Sequence, residues 1–263
     1  MPVVVKACMG CHFRMKRRWF GKQDLESRND ARNGLIWQES GWATYRGGIA
    51  MKYKGIIFDL DGVLVHTDQL HFRAWKKIAD EKGIEFDEEI NNQLRGVSRM
   101  ESLEIILRKY DGPELSENDK EAIAEEKNNY YKEELKSMSQ ADVTEEVRQT
   151  LAAIRSAGIK MAIGSSSKNT KFILKQVKLE DEFDAISDGT NISKSKPDPE
   201  VFLKAAEYLN LNPADCLVVE DAVAGIEAAK RAGMDAVGMG DAATYIKTDF
   251  PLLSFERLKD IVL

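Results

Sequence analysis

The sequence predicts an α/β protein: a doubly wound parallel sheet core with a helical cap domain inserted after the first strand. Two observations support this prediction. Short apolar runs alternate with helices of about ten residues along the second half of the chain, which is the pattern of right-handed βαβ units. Before that alternation begins, residues 68–140 carry only a helical pattern, and they separate the first apolar run from all the others.

The elements follow in order along the chain. The first strand is the apolar run Gly55–Phe58, which is short enough to be a buried strand. After the helical block, helices are predicted at about 143–157, 169–178, 199–209 and 222–232, and strands at 160–163, 183–186, 216–219 and 236–238. The predicted core therefore comprises residues 51–66 and 141–263, and the predicted cap comprises residues 67–140.

Composition and charge exclude several classes of protein. The 263 residues are 43% hydrophobic, which is enough to bury a core, and the net charge of −6 argues against electrostatic binding of nucleic acid. No apolar run approaches the roughly 18 residues of a membrane span, and no signal-peptide pattern opens the chain. Three cysteines cannot form a disulfide framework. We therefore expect a cytoplasmic, monomeric enzyme that acts on small molecules, with no nucleic-acid or membrane partner.

Residues 1–50 differ from the rest of the chain. They carry a net charge of +5 against −11 for the remainder, and they hold three of the four tryptophans. They show no sustained helical or strand period. We expect a disordered or non-native extension, translated from a start codon upstream of Met51.

The extension contains Cys8-Met9-Gly10-Cys11-His12, which is the pattern of c-type haem attachment. Haem attachment requires export, and no export signal precedes the motif. A zinc site would need two more ligands, and the only other histidines are His66 and His71, near the predicted hinge. We therefore expect neither haem nor zinc at this motif.

Polar residues follow directly after several predicted strands. Asp59 and Asp61 follow the first strand, Ser165 follows the second, and Glu220-Asp221 follow the fourth. The carboxyl ends of parallel strands meet at one edge of the sheet, where ligands bind. Carboxylates gathered there repel each other unless a cation joins them, and oxygen ligands without Cys or His favour Mg²⁺ over zinc.

The same edge offers groups for a phosphate. Ser165 and its neighbours bring hydroxyls and amides to a predicted helix N-terminus, which favours an anion. Lys196, in a segment with two prolines, adds a fixed positive charge. A carboxylate at Asp59 can then attack phosphorus while Asp61 serves as general acid and base. Together these residues predict phosphoryl transfer.

Plainer interpretations exist for each of these residues taken singly. Asp59 and Asp61 alone could end a strand in a turn, and the serines could be an ordinary helix cap. Lys196 and Arg99 could be solvated surface residues. His71 could be an amphipathic-helix residue packed against the hinge.

Four segments taken together resemble the haloacid dehalogenase superfamily of phosphotransferases. They are Phe58-Asp59-Leu60-Asp61-Gly62-Val63, Ser165, Lys196 and Glu220-Asp221. Within that superfamily the chain resembles the branch of hexose-phosphate mutases, over about residues 52–263. The segments that carry this closer resemblance are His71 to Trp75, Arg95 to Arg99, Ser165 to Asn169 and Ser195 to Pro197.

The resemblance implies a role for each matching residue. Asp59 would be the nucleophile and a metal ligand, and Asp61 the general acid and base, which also offers its backbone carbonyl to Mg²⁺. The other implied metal ligands are Glu220 and Asp221. The groups implied to bind the transferring phosphoryl group are Ser165, Ser166 and Lys196.

A second phosphate site is also implied, because a mutase must hold the phosphate that is not being transferred. The residues implied in distal-phosphate and substrate binding are Arg99, Ser167, Lys168, Asn169, His71, Trp75, Gly96, Val97 and Ser98. Of these, His71 resembles a hinge residue linked to Asp61 and to closure of the cap, and Trp75 is also expected in the cap core. The chain departs from the family at His66, where an acidic residue is usual, so the hinge contacts are expected to differ.

The function implied is interconversion of β-D-glucose 1-phosphate and glucose 6-phosphate through a phospho-aspartate, with glucose 1,6-bisphosphate as intermediate and activator. The alternative is a Mg²⁺-dependent sugar-phosphate phosphatase on the same scaffold, in which water takes the phosphoryl group. A third interpretation is a non-catalytic phosphate-binding module, which would not need the nucleophile Asp59. The expected partners are hexose phosphates.

A chain that begins at Met51 is expected to fold and catalyse as well as the full chain, because it loses no predicted core strand or site residue. Thermal unfolding and phosphoryl-transfer rates of the two chains measure this. A loss of more than ~2 kcal/mol of stability, or of most of the activity, would instead make the segment an integral part of the fold.

Overall fold

The computed structural model describes residues 52–94 and 97–263 in full, and four short strands before them. In the unit formed by residues 1–51, β1 (Val3–Val4) pairs antiparallel with β2 (Arg14–Met15), and β3 (Leu35–Trp37) with β4 (Ala43–Tyr45). The sequence predicts none of these strands, because two or three residues are too few to show a period. The Cys8–His12 motif lies outside the described residues, and the extension stays a prediction.

Six parallel strands form the predicted sheet within the unit of residues 52–263. In chain order they are β5 (Gly55–Phe58), β6 (Lys160–Gly164), β7 (Ala185–Ser187), β8 (Cys216–Glu220), β9 (Asp235–Gly238) and β10 (Phe250–Pro251). The spatial order is β10-β9-β8-β5-β6-β7, which confirms the predicted parallel sheet and puts β5 at its centre. The sequence does not predict β10, because this edge strand has two residues and one is a proline.

Four helices follow β5 and precede the rest of the sheet in the chain. They are α1 (Asp68–Lys82), α2 (Glu88–Asn92), α3 (Arg99–Leu107) and α4 (Glu117–Leu135). Helix α4 packs against both α1 and α3, and the helices enclose an apolar cluster of their own that includes Trp75 and Leu103. The predicted helical insertion is confirmed, while its boundary residues stay predictions.

Helices cover both faces of the sheet, as a doubly wound fold requires. The apolar cluster on one face includes residues of α5 (Glu145–Ser156), α6 (Thr170–Gln176) and α9 (Leu258–Val262). The cluster on the other face includes residues of α7 (Glu200–Tyr208) and α8 (Val223–Arg231). Side chains alternate along a strand, so Ile56 and Phe58 of β5 join the first cluster and Ile57 joins the second. The central strand is therefore buried on both sides.

Short 3₁₀ helices complete the unit at Gln140–Asp142, Pro213–Asp215, Gly240–Thr244 and Phe255–Arg257. Among the described residues, no helix has the length and apolar character needed to cross a membrane.

Candidate active site

The carboxyl edge of the sheet faces the cap helices across one cavity of about 1350 Å³. Predicted site residues from separate segments share this cavity. From the core they are Asp59, Asp61, Ser165, Ser166, Ser167, Lys168, Asn169, Lys196, Glu220 and Asp221, and from the cap they are His71, Trp75, Val97, Ser98 and Arg99. Gly96 lies outside the described residues. The fold thus gathers residues that the sequence spreads over more than half of the chain.

Lys196 joins two of the carboxylates. Its Nζ donates to Oδ1 of Asp59 at 2.5 Å and to Oε1 of Glu220, and all three residues are buried. Burial by itself lowers the pKa of the Lys196 ammonium, but the two carboxylates outweigh burial and raise it. The lysine is therefore charged, and it partly neutralises the acidic cluster.

The side chains of Asp59, Glu220 and Asp221 bring carboxylate oxygens within 4.8 Å of one another. Burial raises the pKa of Asp59 well above its usual range, although Lys196 opposes the shift, and burial with the charge of Glu220 raises the pKa of Asp221 to about 7. A divalent ion would relieve this repulsion, and a set of hard oxygen donors fits Mg²⁺. The residues present therefore fit the predicted metal, for which the backbone carbonyl of Asp61 is a further predicted ligand.

Two glycines leave room for these carboxylates. A Cβ on Gly62 would lie 2.0 Å from Oδ2 of Asp221, and a Cβ on Gly225 would lie 2.0 Å from Oε1 of Glu220. Gly62 also has a φ of +86°, which favours glycine. The sequence predicts the tight turn at Gly62, but it carries no signal for Gly225, which lies inside α8.

Asp61 lies in the turn that leads from β5 to the cap. The N–H of Gly62 donates to the carbonyl of Val65 at 2.7 Å, and the hydroxyl of Thr67 donates to Oδ1 of Asp61. Burial raises the pKa of Asp61. The hydrogen bond from Thr67 lowers this pKa, but only enough to offset part of the rise. A carboxyl that holds its proton to higher pH suits a general acid. Sequence reasoning missed this contact of Thr67, which is buried beside the exposed His66.

The loop after β6 presents hydroxyls to the same edge. The Ser165 hydroxyl accepts from the N–H of Ser167 at 3.1 Å, and the Ser167 hydroxyl accepts from the N–H of Asn169 at 3.2 Å. The hydroxyl of Ser166 is buried and has no hydrogen-bond partner within the described part of the chain. Buried hydroxyls are normally hydrogen-bonded, so Ser166 offers a donor where a phosphoryl oxygen is predicted to bind.

Arg99 of the cap is linked to the core by hydrogen bonds to the side chain of Asn128. Its Nη2 donates to Oδ1 of Asn128 at 2.9 Å, and Asn169 of the core donates to the same oxygen at 3.0 Å. Burial lowers the pKa of Arg99, but a guanidinium keeps its charge at any physiological pH. A fixed positive charge therefore lies beside Asn169, one of the core residues predicted to bind the distal phosphate.

A pair of basic residues also lines the cap side of the cavity. Nζ of Lys127 lies 2.8 Å from Nδ1 of His71, and the His71 ring packs on Tyr131 with centroids 3.9 Å apart. Burial, together with the charges of Lys127 and Arg99, lowers the pKa of His71 well below its usual range. Burial and Arg99 lower the pKa of Lys127 to about 7. A neutral imidazole can accept from the Lys127 ammonium, and the predicted link from His71 to Asp61 stays a prediction.

Sequence reasoning missed Lys127 and Asn128, although a signal for them exists. Both are buried on α4 with Ala124 and Tyr131, and this spacing is that of one helix face. Polar residues on an otherwise apolar face are candidates for a site. The signal is weak because α4 is so rich in Glu and Lys that its apolar stripe is hard to see.

Comparisons with known proteins agree with this geometry. A family model described as haloacid dehalogenase-like hydrolase matches residues 53–233. A β-phosphoglucomutase of Bacillus subtilis is 41% identical over 198 residues, which cover 74% of this chain and 87% of that protein. A phosphorylated carbohydrates phosphatase of Thermotoga maritima is 33% identical over 186 residues, which cover 70% of this chain and 83% of that protein.

A solved structure shares the whole architecture of core and cap. It is a crystal structure of a β-phosphoglucomutase from Clostridium difficile, which is 39% identical to this chain and superposes with a TM-score of 0.73. The match covers 78% of this chain and 93% of that one.

The raised carboxyl pKa values predict how the metal-free protein responds to pH. A carboxyl whose pKa is higher in the folded than in the unfolded protein loses its stabilising contribution as pH rises through the folded pKa. Because the pKa of Asp221 is about 7, we expect the protein in EDTA to melt at a lower temperature at about pH 8 than at about pH 5.5. Mg²⁺ should remove most of this difference, because it pairs with the ionised carboxylates.

The matched variant is Asp221→Asn, whose amide does not titrate. Its melting temperature in EDTA should depend less on pH than that of the unchanged protein. An equal pH dependence of the two proteins would show that Asp221 does not control it.

Proposed function

This chain belongs to the haloacid dehalogenase-like hydrolases, and we propose that within this family it is a β-phosphoglucomutase. The proposed reaction interconverts β-D-glucose 1-phosphate and glucose 6-phosphate, with phospho-Asp59 and β-glucose 1,6-bisphosphate as intermediates. The relatives named β-phosphoglucomutase in Bacillus subtilis and Clostridium difficile support this proposal. A cytoplasmic location and a monomeric state stay predictions.

One observation carries the proposal: a second set of groups predicted to bind phosphate lines the same cavity as the predicted nucleophile Asp59. Ser166 and Lys196 lie with Asp59 at the edge of the sheet, while Arg99 meets Asn169 through Asn128. A phosphatase has to hold one phosphate. A mutase has to hold two, because the bisphosphate must bind in either direction for either phosphate to reach Asp59. The arrangement supports a site with two phosphate pockets.

The proposed chemistry uses groups already described. The Asp59 carboxylate attacks phosphorus, the bond from phosphorus to the sugar oxygen breaks, and Asp61 gives its proton to that oxygen. In the reverse direction Asp61 takes the proton from the attacking sugar hydroxyl. Lys196 offsets negative charge on the transferring oxygens. Mg²⁺ held by Asp59, Glu220, Asp221 and the carbonyl of Asp61 would supply further charge compensation between the carboxylate and the phosphate.

The second candidate is a sugar-phosphate phosphatase, in which water instead of a sugar hydroxyl attacks phospho-Asp59. The 33% identity to the phosphorylated carbohydrates phosphatase of Thermotoga maritima favours it. Both candidates share the first half-reaction, so they differ only in what accepts the phosphoryl group.

One assay distinguishes these functions. The protein is incubated with β-glucose 1-phosphate, Mg²⁺ and catalytic glucose 1,6-bisphosphate, and glucose 6-phosphate and free phosphate are both measured. A mutase yields glucose 6-phosphate in excess. Free phosphate as the main product would identify the phosphatase, and neither product would indicate a binding module.

Replacing the nucleophile should abolish phosphorylation of the protein. In Asp59→Asn the amide lacks the attacking charge and also weakens the metal site. Intact-protein mass spectrometry after incubation with acetyl phosphate measures the phosphoryl group. The control is Asp111→Asn, an exposed aspartate of the cap, which should still be phosphorylated. Phosphorylation of Asp59→Asn would contradict the assignment.

Replacing the general acid and base should have a different signature. Asp61→Asn should retain Mg²⁺ binding, because the predicted ligand is the backbone carbonyl, yet turn over about 10² times more slowly or worse. Steady-state kinetics and metal titration give the two readouts. A near-normal rate would remove Asp61 from the mechanism.

Removing the distal charge should affect the sugar reaction most. Arg99→Ala should reduce mutase turnover more than it reduces hydrolysis of a small phosphate donor, because Arg99 is predicted to act on the distal phosphate. Arg73→Ala, which removes an exposed arginine of the same cap, is the control and should change neither rate. Equal losses of both rates in Arg99→Ala would mean that Arg99 is structural.

A further inference from the structure

One buried amide oxygen in the cap bonds to donors on both walls of the cavity. Oδ1 of Asn128 on α4 accepts from Nη2 of Arg99 at 2.9 Å and from Nδ2 of Asn169 at 3.0 Å. Arg99 is the first residue of α3 in the cap, and Asn169 directly precedes α6 in the core. Asn128 is only 5% exposed. A single oxygen thus connects Arg99 and Asn169, two of the residues predicted to bind the distal phosphate.

The partners determine the orientation of the Asn128 amide. A guanidinium can only donate hydrogen bonds, so the Asn128 atom that faces Arg99 must be the oxygen, and Asn169 must present its NH₂ group. Within the described residues, the NH₂ group of Asn128 has only a long contact, 3.4 Å to Oε1 of Glu125. Asn128 is therefore held in the cavity mainly through its acceptor oxygen.

That oxygen accepts from two donors that are predicted to bind the distal phosphate, but unlike a phosphate oxygen it carries no full negative charge. Arg99 has a second contact, 3.3 Å to Oε2 of Glu125, but the Glu125 side chain is 58% exposed and solvent screens the pair. Arginine and phosphate both carry charge, whereas only the donor is charged when arginine bonds to an amide, so phosphate is the stronger acceptor for Arg99. A phosphate oxygen that enters the site would therefore displace the amide oxygen from its donors.

We propose that Asn128 is a positioning residue for the distal phosphate. Its oxygen holds Arg99 and Asn169 at the spacing of a shared acceptor before the sugar phosphate binds, and it yields both donors to a phosphate oxygen on binding. Side chains held in this way lose less conformational freedom when the ligand arrives, which favours affinity. The proposal rests on the proposed function, because it takes the distal phosphate from there.

Asn128→Asp tests the proposal, since it keeps the size and the acceptor but adds a negative charge. The carboxylate should retain Arg99 as an ion pair and repel the phosphate, which weakens glucose 6-phosphate binding about tenfold or more. Binding is measured by calorimetry with Mg²⁺ in an Asp59→Asn background, which blocks turnover. The matched control is Asn129→Asp, the same change at the next, exposed position of α4, and it should bind as the background does.

A second readout separates positioning from a structural role. With Asp59 intact, phosphorylation by acetyl phosphate, which brings no distal phosphate, should fall much less in Asn128→Asp than glucose 6-phosphate affinity does. Unchanged affinity, or equal losses of both, would overturn the proposal. If Asn128→Asp does not fold, Asn128→Ala replaces it: severalfold weaker glucose 6-phosphate binding supports the proposal and unchanged binding overturns it.

A negative result for Asn128 can be distinguished from a negative result for the proposed function. Absence of mutase turnover in the unchanged protein would contradict the proposed function. The binding experiment on Asn128 would still give a clear result, because it needs no turnover. A protein with full mutase turnover whose Asn128→Asp variant binds glucose 6-phosphate normally would contradict only the role of Asn128.

Discussion

The site depends on one electrostatic constraint: buried carboxylates at the end of the central strands must be compensated. Asp59, Glu220 and Asp221 approach within 4.8 Å, and Lys196 bonds to the first two. Removing one partner of a buried ion pair costs roughly 3–5 kcal/mol, because the other charge is left uncompensated in a low dielectric. Lys196 is therefore part of the folded core as well as of the site. The charge that remains after this pairing is what makes a divalent cation favourable there.

The register of the sheet produces this cluster. Phe58 of β5 pairs with Val219 of β8, so the next residues, Asp59 and Glu220, emerge side by side. The N–H of Asp59 donates to the carbonyl of Val219 at 2.9 Å, which holds the two ends together. Gly62 and Gly225 leave the space that the acidic side chains occupy. Backbone pairing therefore holds Asp59 and Glu220 side by side, and the two glycines leave room for the acidic side chains.

The cap supplies the other wall of the cavity, and its contribution was the harder one to predict. The sequence predicts Arg99 as a site residue, but for residues 68–140, which include α4, it predicts only a helical pattern. In the structure α4 carries Lys127 and Asn128 on its buried face, where they meet His71, Arg99 and Asn169. Every one of these contacts joins residues on different elements. Helical periodicity can show that such residues are buried, but it cannot show which partners they meet.

The sequence by itself determined the alternation of strands and helices, the insertion after the first strand, and the residues at the strand ends, because these depend on hydrophobic period and on local order along the chain. It did not predict β10 or the strands of two or three residues near the N-terminus, which are too short to carry a period. Only the tertiary structure decided that Lys196 bridges Asp59 and Glu220, that Thr67 bonds to Asp61, and that Asn128 bonds to Arg99 and Asn169. Hydrogen bonds and ion pairs act over a few ångströms, and the partners of Lys196 and Asn128 lie 24 to 137 residues apart in the chain. Their pairing therefore exists only once the sheet and the cap have packed.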